Sequence, residues 1–233
     1  MIRNPLYRQD EIVRLCAGKS VLHLGFILHD QWRERYAEGN WLHLKILNAA
    51  KRTVGIDYLS DEVDAIRAEI GCECYTGDVM RLNETQLNET FDVIVCGELI
   101  EHLESPRDLL NGLVGFCHNE TLIVITTPNP WDRKWAANMK AGILEDGWIN
   151  PEHVAWYSMS TLHTLLNRCS YDVMRAEHYF EESLETDKSL TGAARLQWLA
   201  KRFARRLVTR PQCQPGLFFV TKPRPDRLDP LPE

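Results

Sequence analysis

Five short apolar runs, rich in β-forming residues, recur along the first half of the chain: SVLHLG (20–25), TVGID (53–57), CECYTGD (72–78), FDVIVCGE (91–98) and LIVITTPN (122–129). Stretches with helical periodicity separate them. Short strands buried on both faces and alternating with amphipathic segments build a parallel α/β sheet with right-handed crossovers. Helices are expected over 41–51, where Leu44, Leu47 and Ala50 fall at helical spacing, over 61–70 behind Ser60 as N-cap, and over 106–117 from Pro106 in the first turn.

After the fifth run the pattern changes. Residues 130–157 are rich in Trp, Asn, Gly and Pro, which suggests a lid or substrate loop over the open end of the sheet. A helix over 158–168 follows, opening with Ser158 and Ser160, then strands over 171–178 and 216–222, and a tail over 223–233 whose four prolines suggest disorder. One domain spanning 1–222 is expected, with no linker and no internal repeat.

Charge is unevenly spread. Residues 188–210 carry seven cations and no acid, so of the net charge of -6 the rest of the chain holds -13. An acidic body disfavours nucleic acid as a partner, whereas 188–210, an expected helical insertion with Leu196, Leu199, Phe203 and Leu207 on one side, could meet an anionic partner along 195–210. No run has the ~20 apolar residues of a membrane span, and the first residues lack the apolar stretch of a secretory signal, so a cytoplasmic protein is expected. The seven scattered cysteines read as reduced thiols, and Cys72 and Cys74 are too closely spaced for a CxxC pair.

In an open α/β sheet the ligand lies beyond the carboxyl ends of the strands, so the strand-end residues bear the chemistry. The first run ends in Gly25, the second in Asp57, suited to accept ribose hydroxyls, and the third in Gly77 and Asp78, which could read an adenine amino group. Each acid also has a plainer use, Asp57 as a helix cap and Asp78 in a turn. The fourth run enters Glu98, Leu99, Ile100, Glu101, His102, where positions i, i+3 and i+4 share a helix face.

In their order, residues 20–25, 53–57, 75–79, 91–103 and 122–129, with the closing strand pair, resemble the successive motifs of class I S-adenosylmethionine-dependent methyltransferases. The resemblance implies a Rossmann-like, three-layer α/β/α fold with a seven-stranded, mostly parallel sheet whose last strand is antiparallel. It implies S-adenosylmethionine as cofactor, bound through His23, Gly25, Asp57, Tyr58, Asp78, Val79 and Glu98. One departure stands out: the family's first motif has an acid two residues before its first glycine and further glycines after it, where this chain reads His23, Leu24, Gly25, Phe26, Ile27. Ile27 cannot take a positive φ without strain, so the usual glycine-rich turn is not expected, and residues 26–40 look like an inserted loop.

The ELIEHL segment, the inserted loop and LHLKILNAAKRTVGID most resemble methyltransferases of bacterial surface-glycan biosynthesis, which implies O-methylation of a sugar hydroxyl on a glycan or nucleotide-sugar. His102, His153 and Glu101 are then the catalytic candidates. Trp131, Trp135, Trp148, Trp156 and Tyr157 could stack on a sugar or anchor the lid. The ExxEH, TPN and later-His arrangement is also similar to metal-dependent 2'-O-methyltransferases of RNA 3' ends, which implies a second option: Mg or Mn held by Glu98, Glu101, His102 and His153. A third reading, prompted by the missing glycines, is a catalytically degenerate methyltransferase fold acting as a binding or scaffold protein.

Overall fold

A computed structural model describes residues 6–27, 31–143, 150–180, 191–197, 199–200 and 211–228. Seven strands, β1 (Ser20–Leu24), β2 (Arg52–Asp57), β3 (Glu73–Thr76), β4 (Phe91–Gly97), β5 (Cys117–Pro128), β6 (Tyr171–Tyr179) and β7 (Gly216–Pro223), form one sheet in the order β3-β2-β1-β4-β5-β7-β6. β1 to β5 pair in parallel, while β7 runs antiparallel to both β5 and β6. The order reverses between β1 and β4, and their carboxyl ends open the crevice where such folds bind ligands.

Strand alternation feeds two helical layers. Val93 and Val95 of β4 face α1 (Arg8–Cys16) and α3 (Leu42–Ala49) in one buried cluster. Ile94 and Cys96 face the other side, with α5 (Pro106–Gly112) and α7 (Met159–Arg168). α4 (Ser60–Ile70) packs through Val63 and Ile66 in a third cluster with Phe26, Trp32, Trp41 and the buried thiols Cys72 and Cys74. α7 carries a full capping box between Ser158 and Thr161, as the serines at its start suggest.

Several boundaries differ from the sequence reading. Residues 31–40 are not merely a loop: α2 (Trp32–Ala37) lies there, anchored by the fully buried Trp32, whose indole N–H donates to Glu62 at 2.5 Å. The helix expected over 106–117 ends at Gly112 and tightens into a 3-10 turn over Leu113–Phe116. Helix α4 starts at Ser60 itself, with Leu59 in the cap position, and the Leu59 amide donates to Asp57 at 3.2 Å.

The tail expected to be disordered from 223 is instead fixed as far as 228. Pro223 pairs with Tyr171, and Arg227 donates to the Cys169 carbonyl at 2.7 Å and to Asn111 at 2.9 Å. One arginine satisfying a helix-end carbonyl outweighs the local proline content. The stretch expected as a lid, 130–157, contains α6 (Arg133–Lys140), none of whose residues is buried, and its residues 144–149, with Trp148, lie outside the described residues. So does most of the basic stretch, including Phe203 and Leu207, while Leu196 and Leu199 are exposed. Among the described residues no helix is long and apolar enough to cross a membrane.

Candidate active site

The turn after β1 is made by Gly25 alone, at φ +61°. A side chain there would be strained by the positive φ, and its Cβ would lie 2.9 Å from Leu99 Cδ1. Beyond it the chain is held by side chains. The Phe26 ring lies over Gly55, so close that a Cβ on Gly55 would sit 2.7 Å from it. The Trp41 indole donates to the Phe26 carbonyl at 2.9 Å, and the Ile27 amide donates to Asp57 Oδ2 at 3.0 Å.

A cavity of about 470 Å³ opens at the carboxyl ends of β1, β2 and β4. Its wall includes Gly25, Asp57, Tyr58, Asp78, Val79, Glu98 and His102 among the residues expected to bind or react. Ile27, Leu59, Met80, Leu99, Leu103 and Glu152 complete it, and none of these was expected from sequence to bind or react. Most stand one or two positions from a strand-end residue, which is the signal that could have found them.

Of the plainer uses, only that of Asp78 is realised: Asp57 does not cap α4, whose cap position is Leu59 without a side-chain cap bond. Asp57, only 2% exposed, accepts the Ile27 and Leu59 amides on separate oxygens. Asp78 accepts the Met80 amide at 2.9 Å and caps the 3-10 turn Val79–Glu84. A carboxylate offers about four lone-pair sites, so these bonds leave acceptor capacity for a ligand.

His23 is placed differently from expectation. It does not line the cavity but is buried, stacked on His43 with their Nδ1 atoms 3.1 Å apart. Burial, with the Arg8 charge nearby, pushes His23 down to about 3, and burial with His23 as neighbour pushes His43 well below the ordinary imidazole range. Both rings are therefore neutral at pH 7, and one Nδ1 donates to the other. This pair fills the place of the family's usual acid.

At the end of β4, Glu98 adopts φ +52°, and its amide donates to the Thr126 carbonyl at 3.0 Å and hydroxyl at 3.2 Å. Its carboxylate accepts from the Tyr179 hydroxyl at 3.4 Å. The 3-10 turn Ile100–His102 follows. There Glu101 is 1% exposed, and the Glu101 carbonyl accepts the Val154 and Ala155 amides at 2.9 and 3.1 Å, tying the segment around residue 154 to the turn. Ligating atoms of Glu101, His102 and His153 all lie within 4.8 Å of one another. Burial, and then the charge of Glu98, raise the Glu101 carboxyl well above the usual range, while burial and His102 lower His153.

Aromatic rings continue outward from this cluster. His102 and His153 meet edge to face at 4.7 Å, His153 and Trp156 at 5.7 Å, and Trp156 and Trp135 of α6 at 4.3 Å. Trp131 is 62% exposed, and Tyr157 packs on the core.

A family model described as a methyltransferase domain matches residues 36–176. The chain belongs to that family. It is an S-adenosylmethionine-dependent methyltransferase. The methyltransferase fold is shared with a SAM-dependent methyltransferase of Archaeoglobus fulgidus at 18% identity, covering 92% of this chain and 90% of that one, with a TM-score of 0.55. It is also shared with the N-methyltransferase NodS of Bradyrhizobium japonicum in complex with S-adenosyl-L-homocysteine, at 15% identity, covering 91% and 84%, with a TM-score of 0.53. A third likeness is to a Haloferax volcanii methyltransferase entity in complex with the Trm112 activator, at 12% identity, covering 92% and 88%, with a TM-score of 0.55. No curated protein matches the sequence.

Proposed function

We propose that the cavity holds S-adenosylmethionine and that its methyl group passes to a sugar hydroxyl of a glycan or nucleotide-sugar. Asp57 and Asp78, with Tyr58 and Val79 beside them, suit the adenosine end, and Gly25 and Glu98 contribute to the remainder of the wall. The observation that carries the acceptor chemistry is the convergence of Glu101, His102 and His153, with His102 itself in the cavity wall. A neutral hydroxyl is a weak nucleophile. As its oxygen attacks the methyl carbon, the carbon–sulfur electron pair returns to sulfur and the hydroxyl proton must be taken up, here by His102 or His153 with Glu101 behind them.

The half-buried faces of Trp135 and Trp156 beside this cluster suit the apolar face of a sugar ring, which favours a sugar over a small polar acceptor. The shared fold also serves a protein named as an N-methyltransferase, so the oxygen reading rests on the cluster and not on the fold. The test is His102→Ala assayed against sugar and nucleotide-sugar acceptors. Turnover should fall by about 10²-fold or more, the scale of a lost general base, while S-adenosylhomocysteine affinity measured by calorimetry stays within about threefold. Equal loss of both would overturn the assignment.

A second reading places a divalent cation in the same cluster. What favours it is that both carboxylate oxygens of Glu101 and Nδ1 of His153 are buried with no hydrogen-bond partner among the described residues. Two imidazoles and a carboxylate suit a transition metal and leave positions for water or an acceptor hydroxyl, whose acidity the ion would raise. Glu98, expected as a fourth ligand, is not in the cluster. Calorimetric titration of the protein with Mn²⁺ should show one site that is lost in Glu101→Gln; heat unchanged by that substitution would refute the reading. The RNA 3'-end acceptor implied with a metal fits an acidic body poorly, because RNA affinity rests on neutralised phosphates.

A further inference from the structure

The N-terminal helix α1 sends one cation beneath the cavity. Arg8, 8% exposed, donates from Nη1 to the Thr126 hydroxyl oxygen at 3.3 Å, and that same oxygen accepts the Glu98 amide at 3.2 Å. The guanidinium packs closely on Gly97, where an added Cβ would lie 3.0 Å from Arg8 Nη1 and crowd it. Gly97, Thr126 and Arg8 thus meet at the point where β4 leaves the sheet and Glu98 enters the left-handed region, which non-glycine residues rarely adopt and which persists only when its surroundings enforce it. The next residue, Leu99, packs against Gly25, so this turn braces the single glycine left in the loop after β1.

Docking of α1 does not by itself call for a buried arginine. The helix is also held by the Glu11–Arg175 ion pair, by Lys45 donating to Gln9 at 3.0 Å, by the Phe180 amide donating to the Leu6 carbonyl at 2.7 Å, and by the buried Ile12 and Cys16. Burying a guanidinium is costly, and an apolar residue would dock the helix more cheaply.

We infer that Arg8 is a positioning residue of the cofactor site, which through Thr126 holds the Glu98–Leu99 turn in the shape that forms one wall of the cavity. The inference rests on the reading of that cavity as the cofactor site, and its test is separable from that reading. S-adenosylhomocysteine affinity is measured by calorimetry for Arg8→Met, Arg8→Lys, Thr126→Val and Gly97→Ala, with Ile12→Val as a control that loosens α1 without touching the arginine.

Arg8→Met and Thr126→Val should each weaken binding roughly tenfold, the scale of a lost charge-assisted hydrogen bond. The double variant should lose less than the sum of the two single losses, because Arg8 and Thr126 share a linkage. Arg8→Lys should recover most of the loss, and Gly97→Ala should reproduce it by displacing the guanidinium. Wild-type affinity in Arg8→Met, or an equal loss in Ile12→Val at matched loss of Tm, would overturn the inference. If Arg8→Met does not fold, Thr126→Val and Gly97→Ala decide: unchanged affinity in both overturns it. Asp78→Ala tests the cavity reading separately, since it removes the acceptor: if it binds normally that reading fails, and if it binds weakly while the Arg8 and Thr126 variants bind normally only the positioning role fails.

Discussion

Replacing both members of the buried histidine pair, His23→Leu with His43→Leu, should flatten the dependence of stability on acid. In the native protein His23 is fully buried and lowered from about 6.5 to about 3, and His43 is lowered in the same direction. A group whose folded pKa is depressed below its unfolded one binds more protons unfolded, so its contribution is present above the unfolded value and lost as pH falls toward the folded one. Each unit of pH below 6.5 therefore costs about 1.4 kcal/mol for His23, which between pH 7 and pH 5 amounts to roughly 2 kcal/mol, and His43, lowered by burial and by its neighbour, adds in the same direction. Arg8 is the charged group that acts on His23, and Phe26 and Trp41 close around His43. Glu101, held above its ordinary range, works in the opposite direction over this interval, but it is common to both proteins and cancels in the difference. The assay is urea unfolding followed by tryptophan fluorescence at pH 7 and pH 5, at constant ionic strength. Native protein should lose at least roughly 2 kcal/mol more than the double variant, following the arithmetic above. A difference below about 1 kcal/mol would refute the idea that both rings are held neutral by burial.

Other outcomes follow from the packing. Gly55→Ala would drive a Cβ into the Phe26 ring, which is 2% exposed and cannot yield, and should cost about 1 to 3 kcal/mol in urea unfolding. Trp41→Phe removes the donor to the Phe26 carbonyl while keeping most of the aromatic volume, and should cost about 1 to 3 kcal/mol by leaving a buried acceptor unsatisfied. Tyr171→Phe breaks the 2.5 Å bond to the Leu110 carbonyl that ties β6 to α5, and should lower stability by about 1 kcal/mol or more with little change in S-adenosylhomocysteine affinity, since neither residue lines the cavity.

The strand positions were legible because β1, β2 and β4 are short runs of residues buried on both faces, and the strand-end acids follow from them; the edge strand β3 is buried only at Cys74. Asp57, Asp78, Glu98 and His102 line the cavity. The convergence of His153 on His102 and Glu101 was legible only as a resemblance, since the chain must fold back across some fifty residues before the three meet. Helix α2 was hidden by its shortness: WRERYA has one apolar anchor, Trp32, and no repeat for periodicity to detect. His23 looked like a cofactor contact because strand position fixes its register with the family's acid. Register does not reveal which partner waits across the layer, and the partner, His43, comes from a separate helix. Arg8 carried no signal at all, since a lone arginine in an amphipathic first helix reads as solvated.

The missing glycines therefore acquire a physical explanation. In a glycine-rich loop the backbone itself supplies the fit, and side chains would obstruct it. Here one glycine makes the turn, and the following residues are locked from outside by an aromatic cluster in which Phe26, Trp41 and His43 contact one another. The closeness that extra glycines would have allowed inside the loop is displaced onto its supports: Gly55 is bare so that Phe26 can lie flat on β2, and Gly97 is bare where the Arg8 guanidinium packs closely on it. A dinucleotide site could not be built this way, because a pyrophosphate needs backbone amides at close range, whereas the methionine end of S-adenosylmethionine carries no phosphate. Loss of the glycine pattern thus relocates the rigidity of the site from its loop to its packing, and it gives no ground for reading the chain as a degenerate scaffold.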